Sequence, residues 1–153
     1  MKKNDIVKKY GKPQICIMGL NIWILGREFP ESKDYEEGNW LNVIVECEDS
    51  KTHACTSGPL LVITELEYWG KQCCEFLIQP NKEITLISDG FQFWVDIKMN
   101  SEENLTFDVH MYNEEDEDKE DIKDFYFQIS KLDIEFFIEQ IKKVLIDYPI
   151  VNG

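Results

Sequence analysis

The chain has 153 residues, the length of one domain, and a formal net charge of −14. Hydrophobic residues make up 43% of it, which is enough for a buried core and excludes a wholly disordered chain. So acidic a chain is a poor candidate for binding nucleic acid or an anionic membrane, because both need clustered lysines and arginines. We therefore predict a single domain over residues 1–153.

The charge is unevenly distributed along the chain. Residues 1–30 hold six lysines and arginines against two acids, whereas residues 31–153 hold ten against 28. The densest run, Glu114–Asp121, has seven acids in eight residues. Such a run predicts a mobile, solvated loop, or else a negative patch that speeds the approach of a basic partner. A calcium site is disfavoured because the run lacks the central glycine and regular oxygen ligands of an EF-hand loop.

The N-terminal region resembles a short signal peptide, since lysines precede the apolar run Ile15–Leu25. Against this, Asp5 interrupts the basic segment, and Gly26–Glu28 offers no cleavage site of small residues. The apolar run is also too short to span a bilayer. We predict two strands that meet near Gly19–Asn21, in a cytoplasmic protein.

The middle of the chain predicts a hairpin followed by a helix. Alternating apolar residues over Trp40–Cys47 indicate a half-buried strand, and His53–Ser57 is its predicted return strand. Apolar residues then recur at helical spacing from Glu65 to Ile78, with Thr64 as the predicted N-cap. Gly70 weakens this helix by about 1 kcal/mol relative to alanine.

Alternation returns in the second half of the chain. The predicted strands are centred on Ile84–Leu86, Phe91–Ile97, Leu105–Met111 and Phe125–Ile129. The acidic run lies between the last two, and His110 is predicted to face outward. Short connections favour antiparallel hairpins.

A second helix closes the chain, with Ser130 as N-cap, Asp133 at the third helical position and Pro149 as its stop. The predicted architecture is α+β. An antiparallel, twisted sheet of about seven strands has two amphipathic helices, the middle and the C-terminal one, packed on its apolar face.

The chemistry-bearing residues do not form a catalytic or metal-binding motif. The chain has five cysteines without a CxxC pair, which suits a reducing compartment. His53 and Cys55 are spaced to share a strand face, but two ligands do not make a zinc site. We find no GxSxG, P-loop, GxGxxG or HExxH motif. We expect no cofactor, no metal and no enzymatic activity. A small hydrolase assembled from residues distant in sequence remains an alternative.

Three segments carry a family resemblance. They are Asp34-Tyr35-Glu36-Glu37-Gly38-Asn39-Trp40-Leu41, Gly58-Pro59-Leu60-Leu61 and Thr64-Glu65-Leu66. From roughly Gly19 to Ile129 the chain resembles small bacterial proteins of the WapI-like immunity family, found with WapA-type contact-dependent toxins. The resemblance implies a cytoplasmic protein that binds and neutralises the toxic C-terminal domain of a secreted neighbour, often a nuclease.

The resemblance brings no binding residues with it, so the candidates come from charge and exposure. The predicted contacts of a basic partner are the acids Glu114, Glu115, Asp116, Glu117 and Asp118, together with the aromatic Trp40. Gly38 and Asn39 both tolerate positive φ and suit a turn into the strand. Trp40 is then either a buried ring at the sheet edge or an interface anchor. A non-catalytic adaptor or regulatory domain with an unrelated protein partner remains the alternative function.

Overall fold

The computed structural model describes residues 1–117 and 121–153. In these residues the elements are α1 (Lys3–Tyr10), β1 (Ile15–Ile17), β2 (Leu20–Arg27), β3 (Trp40–Glu48), β4 (His53–Val62), α2 (Ile63–Ile78), β5 (Ile84–Ile87), β6 (Phe93–Met99), β7 (Leu105–Tyr112), β8 (Ile122–Ile129) and α3 (Lys131–Asp147). The strands form two antiparallel sheets of four, in the orders β1-β2-β3-β4 and β5-β6-β7-β8.

The predicted α+β class is confirmed, but the single sheet of about seven strands is wrong. Val62 ends β4 and Ile63 begins α2, so the chain leaves the first sheet before β5 starts. Strand β5 then pairs with β6, and a second sheet grows from that hairpin. Alternation predicts strands but does not say where hydrogen bonding between them stops, which is why the division was missed.

Both sheets turn one face into a common core with α2 and α3. Val43 of β3 and Val109 of β7 are both fully buried in this core. Trp69 of α2 meets Phe93 edge to face, with ring centroids 5.9 Å apart. Phe107 and Phe137 join β7 to α3 in the same way, also at 5.9 Å. Such ring pairs add to the stabilisation from apolar burial and fix the helices against the strands.

Helix α1 was not predicted, and it covers the opposite, outer face of the first sheet. Its Ile6 is fully buried in a small separate cluster with Trp23, Ile44 and Cys55. The indole nitrogen of Trp23 donates a hydrogen bond to the carbonyl of Gly11, at 2.8 Å. Helix α1 has only eight residues and one buried side chain, and its lysine-rich sequence was interpreted as the basic segment that precedes the apolar run.

The two longer helices were predicted with different accuracy at their first turns. In α3, Ser130 Oγ accepts from the Asp133 amide at 3.2 Å, which confirms the predicted cap. In α2 the N-cap is Val62, and Thr64 lies inside the first turn, so the predicted Thr64 cap is wrong. Glu65 instead reaches back to accept from the Val62 amide at 2.9 Å.

Among the described residues, none of the helices has both the length and the apolar character of a membrane span.

Candidate partner-binding site

The start of the acidic run is attached to the outermost strand of the first sheet. The Cys55 amide donates to Asn113 Oδ1 at 3.2 Å, and the Glu114 amide donates to the Cys55 carbonyl at 2.9 Å. The Glu114 carboxylate accepts from both the amide and the hydroxyl of Ser57, each at 3.0 Å. These bonds link β7 to β4 across the two sheets, so the first residues of the predicted mobile loop have a fixed position.

The next acids have partners of their own. Glu115 accepts a hydrogen bond from the N-terminal amine of Met1, and this bond lowers the pKa of Glu115. Asp116 lies 3.3 Å from Lys123 Nζ, and its hydrogen bond raises the pKa of that lysine. Glu117 is exposed, and Asp118 lies outside the described residues. The described residues Glu114–Glu117 therefore form an acidic rim, in which Met1 and Lys123 neutralise part of the charge.

An open groove of about 630 Å³ lies beside this rim and was not predicted. Its apolar lining includes Leu60, Phe91 and Tyr112, and Glu114 also lines it. Phe91 is 68% exposed and has φ of 53°, so it belongs to a turn before β6 and not to the predicted strand. A Cβ on Gly90 would lie 3.0 Å from the Leu60 backbone, so glycine lets this turn approach β4. The Asp-Gly pair before Phe91 was the available sequence signal for a turn.

Trp40 does not lie with the acidic residues. It is the first residue of β3, is half-buried and pairs with Val62, whereas Ile44 pairs with Ser57. Val62 lies five positions after Ser57 in β4, a distance of about 17 Å along the strand. The predicted site is thus divided into an acidic rim at one part of β4 and a tryptophan near its end.

The residues before Trp40 have a structural role. The side-chain nitrogen of Asn39 donates to the carbonyls of Tyr35, at 2.7 Å, and Val151, at 2.9 Å. Its side-chain oxygen accepts from the Val151 amide at 2.8 Å. A Cβ on Gly38 would lie only 2.7 Å from the Asp34 carbonyl oxygen. Neither Gly38 nor Asn39 has a positive φ, so close packing and hydrogen bonding explain this motif.

His53 and Cys55 do share a face of β4, in contact with a buried acid. His53 Nε2 lies 3.1 Å from Glu46 Oε2, and Glu46 also accepts from Asn21 Nδ2 at 2.9 Å. Burial raises the pKa of Cys55 to about 11, which keeps this thiol protonated and a poor nucleophile at neutral pH. Within residues 1–117 and 121–153, no three His, Cys, Asp or Glu side chains are grouped to hold a metal ion.

The comparison with known protein families assigns the chain to a class. The model of the Immunity protein WapI-like family matches residues 16–149. Since the match covers most of the chain, the protein belongs to the WapI-like family of immunity proteins, and the suspected resemblance is confirmed. No curated protein sequence matches the chain significantly.

Proposed function

We propose that this chain is a cytoplasmic, non-catalytic immunity protein that binds the toxic C-terminal domain of a contact-dependent toxin and neutralises it. The observation that carries the proposal is membership of the WapI-like immunity family over residues 16–149. Burial raises the pKa of Cys55 to about 11, so this thiol lacks the thiolate form that the nucleophile of a thiol enzyme needs.

The acidic rim, Glu114–Glu117, together with Asp118, which lies outside the described residues, is the proposed first contact with the toxin. A chain with a net charge of −14 attracts a basic partner, and complementary fields speed association more than they tighten the final complex. A nuclease toxin would carry a basic groove for phosphates, which an acidic rim could cover. Attachment of Glu114 to Ser57 supports this role, because a preformed surface loses less entropy on binding. Trp40 would contact a separate part of the partner.

Co-expression tests the proposed function. The toxin domain encoded beside this gene is expressed in a sensitive bacterium with this chain, or with an unrelated acidic protein of similar size as the charge control. We expect this chain alone to restore growth and to co-purify with the toxin domain. If this chain neither restores growth nor co-purifies with the toxin domain, the proposal is contradicted. Capture of a different cellular protein would instead support the adaptor function.

A further inference from the structure

The outer face of the second sheet differs from that of the first. Helix α1 covers the outer face of the first sheet, where Ile6 packs on Trp23. On the second sheet, Tyr126 is 67% exposed and the Asp124 side chain 44% exposed, so no described element covers this region. The register places two cross-strand rows there, Thr85-Asp96-Asp108-Tyr126 and Ile87-Trp94-His110-Asp124. Ile87, which is 50% exposed, lies on the same face as Tyr126, and large apolar side chains that are exposed together on one face mark an interaction surface.

The ring side chains of this face form a continuous set of contacts. Trp94 and His110 stack with centroids 5.4 Å apart and planes 25° apart. Tyr126 meets His110 edge to face at 6.2 Å, and Tyr112 meets Trp94 at 6.5 Å. Tyr112 also lines the groove beside the acidic rim, so the rings extend to the rim without interruption.

Two carboxylates are held among these rings. Asp124 Oδ1 lies 2.6 Å from His110 Nδ1, and Asp96 Oδ2 lies 3.2 Å from His110 Nε2. Thr85 donates a hydrogen bond to the other oxygen of Asp96, at 2.6 Å. The side chains are fixed before any partner arrives, and a third acid on the face, Asp108, is paired with Lys98 at 3.5 Å. The face therefore combines rigid rings with an excess of negative charge.

We propose that this ring–carboxylate face (Trp94, Asp96, His110, Tyr112, Asp124 and Tyr126) docks arginine side chains on a basic surface of the toxin domain; this inference rests on the proposed function. A guanidinium is planar, stacks on aromatic rings and bonds carboxylates with two parallel N–H groups. A lysine offers only a strongly hydrated point charge and suits this combination less well.

The charge of the face favours an arginine-bearing protein surface over nucleic acid or a second copy of this chain. Among the described residues of this face, the three acids Asp96, Asp108 and Asp124 outnumber the two basic side chains, Lys98 and His110. The face is therefore net negative whether or not His110 carries a proton, and it would repel phosphate groups. A second copy of this chain would bring the same acids face to face and be disfavoured. Tyrosine, tryptophan and arginine are also the residues that supply most binding energy at protein interfaces.

The first measurement is the affinity of purified variants for the toxin domain encoded beside this gene. We expect the double variant Tyr126→Ala/Asp124→Asn to raise Kd at least tenfold, mainly through faster dissociation. Tyr126→Phe keeps the ring and should bind like the wild type. The matched control, Tyr68→Ala/Glu135→Gln, removes an exposed ring and an exposed acid from helices and should leave Kd unchanged. Circular dichroism and the melting temperature confirm that each variant is folded.

A second measurement tests the surface chemistry without the toxin. An oligoarginine peptide added to isotope-labelled protein should shift the NMR signals of Trp94 and Tyr126 more than a length-matched oligolysine peptide does. Wild-type affinity of the double variant for the toxin would overturn the docking face while leaving the proposed function intact. Peptide binding at the face without toxin binding would support the face and contradict the proposed function. Equal effects of the two peptides, or shifts confined to other surfaces, would overturn the preference for arginine.

Discussion

The side chain of Asn39 makes two hydrogen bonds with the main chain of Val151, donating to its carbonyl at 2.9 Å and accepting from its amide at 2.8 Å. A fully buried side chain before β3 thus holds the segment that follows α3. Arg27 supports the same connection by donating to the carbonyls of Gly38, at 2.7 Å, and Pro149, at 2.5 Å. The asparagine of the sequence motif therefore acts as a clamp within the fold.

Asn39→Ala should destabilise the protein by about 2–4 kcal/mol, because it removes the three hydrogen bonds that this buried side chain makes to partly buried backbone groups of Val151 and Tyr35. Urea unfolding measures the effect as a lower midpoint. The control is Asn4→Ala, which changes an exposed residue of α1 and should stay within about 0.5 kcal/mol of the wild type. Equal midpoints for Asn39→Ala and the wild type would show that the clamp does not stabilise the fold.

Two glycine-to-alanine substitutions should have opposite effects. A Cβ on Gly19 would lie 2.0 Å from the Glu48 carbonyl oxygen and 2.9 Å from Phe127 Cζ, so Gly19→Ala should cost at least about 2 kcal/mol. A Cβ on Gly70 would lie 3.7 Å from Ile141 Cγ2, an ordinary contact inside α2. Gly70→Ala should therefore stabilise the protein by about 1 kcal/mol. If the melting temperature moves in the same direction for both variants, the predicted opposite effects of the two substitutions are contradicted.

Glu65 should make stability depend on pH between its unfolded and folded pKa values. Burial raises the pKa of Glu65 from 4.5 to about 7, opposed by its hydrogen bond from the Val62 amide. The native state therefore holds this proton more tightly than the unfolded chain, and its stabilising contribution is complete below pH 4.5. That contribution is lost as the pH rises through about 7.

Comparison with Glu65→Gln isolates this effect. Between pH 4.5 and 8, the wild type should lose stability relative to the variant by about 1 kcal/mol, a value reduced for the partial exposure of the carboxylate. Urea unfolding at several pH values measures the difference. A constant difference between the two proteins across this range would contradict the raised pKa.

The cysteines should differ widely in reactivity. Burial raises the pKa of Cys73 to about 12 and that of Cys55 to about 11, and it raises that of Cys47 as well. Cys74 is exposed on α2 and should react first with a thiol reagent in the native protein. Mass spectrometry after brief labelling identifies the site, and Cys74→Ser should remove the fast phase. Early labelling of Cys73 would mean that α2 opens readily.

Neutralising acids of the rim should slow binding of the toxin domain. Glu115→Gln/Glu117→Gln leaves the Glu114 bonds to Ser57 in place and should lower the association rate several-fold at low salt. The effect should fade as salt rises, because screening shortens the reach of charges. Glu135→Gln/Glu139→Gln removes two charges from α3 and serves as the matched control. If the association rate at low salt is unchanged, the acidic rim does not attract the toxin domain and serves only as a solvated surface.

Elements that depend on local sequence patterns were predicted more accurately from the sequence than elements that depend on contacts between distant residues. The alternating residues of β7 and the Ser130 cap were found because both are local patterns. Helix α1 was missed because its stability comes from Ile6 packing on a sheet formed later in the chain. The division into two sheets was missed because pairing between strands leaves no periodic signature.

The candidate site shows the same limit. The acidic run was visible as composition, but its attachment to Ser57 depends on two sheets meeting in space. The ring–carboxylate face was also hidden, because Trp94, His110 and Tyr126 come together only through the register of β6, β7 and β8. For His110, the predicted outward direction is confirmed, while its contacts with Asp96 and Asp124 could not have been predicted from the sequence.

The most direct test of the central claim, that this chain acts by binding a toxin, is the equilibrium affinity between the purified protein and the purified toxin domain encoded beside its gene. Titration calorimetry at physiological salt gives this value together with the stoichiometry. We expect a saturable complex with a nanomolar Kd that weakens as salt is raised. An absence of binding heat at micromolar concentrations, with both proteins folded, would contradict it.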